Sequence, residues 1–66
     1  MASFTPEREV IFEFHRIGAY VKVTAMDVRT HEEVSITGAA TAPKEYLEKL
    51  AYDKLKLVLG RKGLWS

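Results

Sequence analysis

Glu13 and His15 stand two residues apart in the run EVIFEFHRI, so in a strand both project from one face. A carboxylate beside an imidazole can orient a general base or offer two ligands to a metal ion. Neither use is complete here, because no nucleophile and no third ligand follows at a recognisable spacing. His31, Glu32 and Glu33 carry further metal-capable atoms, but consecutive loop residues rarely converge on one ion without additional ligands. Ser3, Ser35 and Ser66 have no nucleophile-elbow context, and Gly18, Gly38, Gly60 and Gly63 build neither a dinucleotide fingerprint nor a phosphate-binding loop. The sequence therefore predicts no catalytic residue, no metal ligand and no cofactor. A small enzyme or metal-binding protein is the least favoured class.

Phosphate binding is the other chemistry within reach. Lys49, Lys54, Lys56, Arg61 and Lys62 gather toward the end of a helical segment, with Trp65 in the tail, so cations for phosphate and a ring for base stacking occur together. Glu45, Glu48 and Asp53 interleave with these cations, and a solvated helix face with cations at its carbonyl end explains most of the cluster. Nucleic-acid binding through the basic helix end and tail stands as the alternative function.

The elements that would position these residues follow from apolar spacing, whose period switches once along the chain, from about two to about 3.6. Val10, Phe12 and Phe14 alternate with Ile11, Glu13 and His15. After Gly18, Val21, Val23 and Ala25 alternate with Tyr20, Lys22, Thr24 and Met26, and a shorter run points Val34 and Ile36 one way and Glu33, Ser35 and Thr37 the other. In the polar connection DVRTHEE, Asp27 and Thr30 can bond nearby amides and hold a turn. The segment HRIG predicts a type I turn with a bulge at Gly18, placing Phe14 and Ala19 at the strand ends; the alternative is a continuous strand shared by two molecules.

The second half predicts a helix over about residues 43–59, with Thr41 or Ala42 as N-cap, Pro43 in the first turn and Gly60 as the stop. Tyr46, Leu47, Leu50, Ala51, Tyr52, Leu55, Leu57, Val58 and Leu59 sweep an arc of roughly 220–240°, about twice the stripe needed to lie on one sheet. Half of that arc meets the sheet. The remainder, around Tyr52, Leu55 and Leu59, calls for another surface.

The fold class is thus α+β: a three-stranded antiparallel meander followed by one C-terminal helix packed on one face (β-β-β-α), in a single small domain over residues 1–66. Its parts are a sheet over about 9–37, a hinge over 38–43, the helix and a tail over 60–66, preceded by a frayed start. A chain of 66 residues buries only roughly 60% of the surface its unfolded form exposes, and one without cysteine lacks a disulfide staple. A second copy is the remaining staple, and surplus apolar residues support one. The function expected is a non-enzymatic protein-interaction module acting as a homodimer, with Ile11, Ile17, Tyr20, Met26, Tyr52, Leu55 and Leu59 facing a protein partner. The hinge would allow the dimer to exchange its helix as a domain swap. Ten Lys and Arg against nine Asp and Glu give a net charge of +1, which sets up no strong global field. Lack of cysteine, of a secretory signal and of a long apolar run predicts a cytoplasmic protein with no membrane contact.

The run REVIFEFHRIGAYVKV, followed by D-x-x-T-x-x-E-V-S-I-x-G and a Leu-rich helix, resembles a family of short uncharacterised alphaproteobacterial proteins, a domain of unknown function. The resemblance spans roughly residues 8 to 59 and is carried by the strand segments. It implies a small bacterial protein. It brings no activity, cofactor or site residue with it.

Overall fold

The computed structural model describes the backbone of residues 2–4 and residues 9–64 with their side chains. Four strands, β1 (Ala2–Phe4), β2 (Glu9–Ile17), β3 (Tyr20–Asp27) and β4 (Glu33–Ala39), form one antiparallel sheet in sequence order, and α1 (Lys44–Arg61) follows. The expected β-β-β-α unit is the body of the molecule. The start read as frayed contributes β1, which pairs Ala2, Ser3 and Phe4 with Ile11, Val10 and Glu9.

Register puts every expected core residue on one face. Phe12 lies opposite Ala25 and Phe14 opposite Val23, while Val23 faces Ile36 and Ala25 faces Val34 across the next ladder. Val10, Phe12, Val21, Val23 and Ala25 are buried there. The β2–β3 reversal occurs within one chain, as the turn expectation held, but at a different position. β2 runs on through His15, Arg16 and Ile17, Ile17 pairs with Tyr20, and only Gly18 and Ala19 form the loop. Gly18 has φ 61° and no positive φ occurs at Ala19, the pattern of a type II′ turn. That turn matches the strand twist without a bulge, so the strand alternation extends to the tip.

The β3–β4 connection is held by Asp27, which is fully buried. Its Oδ2 accepts from the Thr30 amide at 3.0 Å and from the Thr30 hydroxyl at 2.7 Å. The Asp27 amide donates to the Glu32 carbonyl at 2.8 Å, and His31 takes the left-handed conformation (φ 64°) that closes the loop. The turn chemistry read from DVRTHEE is the chemistry observed.

Helix α1 lies on the core face against β3 and β4 through Leu47, Ala51, Leu55 and Leu59, one row at i, i+4, i+8 and i+12. Its first turn carries no side-chain cap, since Pro43 occupies the N-cap position in place of the expected Thr41 or Ala42. Its left-handed stop is Gly63, three residues beyond the expected Gly60. Gly63, at φ 71°, donates to the Gly60 carbonyl at 3.1 Å and Leu64 to the Leu59 carbonyl at 2.8 Å, the two bonds of a Schellman cap. Gly60 lies in the last helical turn, one residue before the end of α1.

Gly38, read as part of a hinge, is a β4 residue opposite Val21. A Cβ built on it would sit 2.5 Å from Leu47 Cδ2, so the missing side chain leaves the room that this leucine fills. The connection is accordingly short, residues 40–43, and α1 packs on the sheet of the same chain. Two tethers lock it. Lys54 Nζ donates to the Ser35 carbonyl at 2.8 Å, and Lys62 Nζ meets both carboxylate oxygens of Glu32 at 3.0 and 2.9 Å.

Gly38→Ala is expected to lower unfolding free energy by about 1–3 kcal/mol through overpacking. In urea denaturation the double variant Gly38→Ala/Leu47→Val should lose less than the sum of the single changes, because the two share one contact.

Candidate functional site

The outer face of the sheet brings Glu13 and His15 together on one side of β2, as their spacing predicts. Glu13 sits opposite Thr24 and His15 opposite Lys22, and the row continues with a 3.0 Å hydrogen bond between the Thr24 and Ser35 hydroxyls. His31, Glu32 and Glu33 diverge. Glu32 is bound to Lys62, and Glu33 pairs across from Met26 on the outer face. No group of three or more potential metal ligands forms among the described residues.

Ile11, Met26 and Tyr20 lie on this outer face, where they were expected, and Ile17, expected in the turn, joins them as the last residue of β2. Ile11 is adjacent to Met26 at one end and Ile17 to Tyr20 at the other, where they are 59% and 61% exposed. Between the pairs stand Glu13, Thr24, His15 and Lys22. The outer sheet therefore carries two small apolar patches and a polar middle, not one continuous patch.

On α1 the structure reverses the expected assignment. Leu55 and Leu59, placed at a partner surface, are fully buried in the chain's own core, and Tyr52 packs against that core half-buried. The other half of the arc is uncovered: Tyr46, Leu50 and Leu57 are exposed, with Leu64 just past the cap. Periodicity located the arc but could not say which half faces inward. A readable signal existed in the interruptions, because the row Leu47, Ala51, Leu55, Leu59 contains no polar residue, whereas Asp53 and Gly60 fall within the outer stripe.

The stripe Tyr46, Leu50, Asp53, Leu57, Gly60, Leu64 advances in steps of four and three, the spacing of a helix seam. Gly60 is anomalous within it. A glycine inside a helix costs about 0.5–1 kcal/mol relative to alanine, yet a Cβ here would meet nothing within 4 Å. Nothing in the packing of the described residues calls for it. Its effect is a shallow depression bounded by Asp53, Lys56, Leu57 and Arg61.

The cations proposed for phosphate are largely occupied by the fold. Lys49 pairs with Asp53 at 3.0 Å, Lys54 caps the Ser35 carbonyl, and Lys62 clamps Glu32. Lys56 and Arg61 flank the Gly60 depression. Trp65 lies outside the described residues. Among those residues, no helix is long and apolar enough to cross a membrane.

A four-stranded antiparallel sheet covered on one face by a single helix defines a small two-layer α+β domain. The chain belongs to the family described as Domain of unknown function (DUF6898), which it matches over residues 7–62. No curated protein and no solved structure matches it.

The two leucine rows are separable by stability. At concentrations where the chain is monomeric, Leu55→Ala should lose about 2–5 kcal/mol in chemical denaturation, whereas Leu57→Ala should change stability by no more than about 0.5 kcal/mol.

Proposed function

We propose that this chain is a small non-enzymatic protein-interaction module that works in the cytoplasm as a homodimer, joined through the outer stripe of α1. The observation that carries this reading is Gly60: a glycine in the last turn of α1 with open space above it, on the same stripe as exposed Tyr46, Leu50 and Leu57. A second copy gives that glycine a purpose.

An 18-residue helix is about 27 Å long, enough for a paired-helix contact. In an antiparallel pair related by a two-fold axis near Asp53, Leu50 of one copy meets Leu57 of the other, and Tyr46 falls opposite Gly60. The tyrosine ring then fills the depression that the glycine leaves, beside the Arg61 guanidinium. Each Asp53 near the axis carries its own Lys49 counter-ion, which limits repulsion between the two carboxylates. Burial of aromatic and leucine side chains supplies the affinity. The small core of a 66-residue chain gains from the added contact. The outer sheet, with its polar middle row, is left as the surface for a different protein partner.

Two substitutions of opposite sign test this. At concentrations where the chain is monomeric, Gly60→Ala should raise stability by about 0.5–1 kcal/mol, because it restores helix propensity in open space. In sedimentation equilibrium the same change should weaken self-association, and Leu57→Lys should abolish it with the circular dichroism spectrum unchanged. A wild-type chain that sediments as a monomer across the micromolar range would overturn the dimer.

A further inference from the structure

The core is open at one end, where the β2–β3 hairpin tip and the start of α1 approach each other. A cavity of about 250 Å³ lies there, with Phe14, Val21, Ala40, Ala42 and Leu47 among its lining residues and Arg16 and Lys44 as its polar ones. No acidic side chain lines it. We infer that this cavity binds a small organic carboxylate with an aromatic or branched aliphatic body.

Both cations are held in place without being neutralised. Arg16 donates from Nε to the Gly18 carbonyl at 2.9 Å, which anchors the guanidinium at the hairpin tip beside the cavity it lines. Lys44 Nζ stands 4.8 Å from the centroid of the Phe14 ring, so a cation–π contact holds the ammonium at the cavity mouth. Neither forms an ion pair with a described carboxylate, in contrast to Lys49 and Lys62. An apolar wall under two anchored positive charges is complementary to an anion carrying an apolar group. The guanidinium fork suits the two oxygens of a carboxylate, and the ammonium adds a point charge beside it.

Size narrows the class. The volume lies below the roughly 300–1,000 Å³ of pockets that hold drug-sized ligands, so it admits a body of one ring or a short branched chain. The ring of an arylalkanoic acid would lie against Phe14, Val21 and Leu47 while its carboxylate faces Arg16 and Lys44. This site is distinct from the α1 dimer stripe, because none of its lining residues belongs to that stripe.

Two-dimensional NMR of the ¹⁵N-labelled full chain, titrated with 3-phenylpropionate, tests the assignment. Saturable shifts are expected at the amides of Phe14, Arg16, Val21, Ala42 and Leu47, with affinity in the millimolar range expected of a fragment. Arg16→Gln and Lys44→Gln change exposed side chains and should preserve the spectrum, while each weakens binding about tenfold, the size of one charge-assisted hydrogen bond. The Leu57→Lys monomer should bind as the wild type does. The neutral 3-phenylpropionamide should bind at least tenfold more weakly. Equal binding of the amide would overturn the proposal in favour of a non-selective apolar cleft, and equal binding of inorganic phosphate would reduce it to general anion attraction. Shifts located elsewhere, or none that saturate, would also overturn it.

Discussion

The contact on which the rest of the molecule depends is the approach of Leu47 to the backbone of β4 at Gly38. With no side chain at that position, α1 lies close on the sheet, and Leu47, Ala51, Leu55 and Leu59 become one uninterrupted buried row. A side chain at Gly38 would press on Leu47 Cδ2, so that this leucine must turn out of its place or the helix must lift at its start. The remaining leucines of the row would then lose packing against Val23, Ala25 and Val34, and dispersion contacts fall steeply with a gap of even half an ångström. In a core made of nine buried apolar side chains, no other layer exists among the described residues to take up the loss.

The polar contacts serve the same docking. The bonds from Ala40 to Ala19 and from Asp27 to Glu32 set which residues of β4 face β3, and by that alternation the Ser35 carbonyl points off the sheet edge. Lys54 bonds it there, so one side chain both tethers the helix and blunts the exposed edge strand. Lys62 does the equivalent at the other end by reaching Glu32 in the β3–β4 connection, whose geometry Asp27 maintains. These exposed contacts add little energy singly. Their value is positional: they hold the helix in the orientation that leaves Tyr46, Leu50 and Leu57 outward and Lys44 over Phe14.

Surface chemistry then divides between two places that share α1. Its outer stripe is apolar with a gap at Gly60, which favours another helix, while its first residue helps to frame a cationic mouth over an apolar cavity. Neither place contains the Glu13–His15 pair or the acidic turn that first suggest chemistry in the sequence. Those residues stand among polar neighbours on the outer sheet or are bound into the turn.

The sequence by itself determined what depends on local period: three strands, one helix, the two faces of the sheet and the Asp27–Thr30 turn were all legible, because side chains alternate every two residues in strands and recur every 3.6 in helices. It also exposed the surplus of apolar residues on α1. Only the tertiary structure decided which half of that surplus is core, since a helix with an over-wide stripe can meet a sheet by either half, and here the half carrying Leu47, Ala51, Leu55 and Leu59 is the one buried. The tertiary structure alone also moved the helix stop from Gly60 to Gly63, because a glycine ends a helix only where the backbone turns left-handed. Arg16 and Lys44, 28 positions apart, became neighbours of one cavity through the β4–α1 crossover, a juxtaposition that no local pattern encodes.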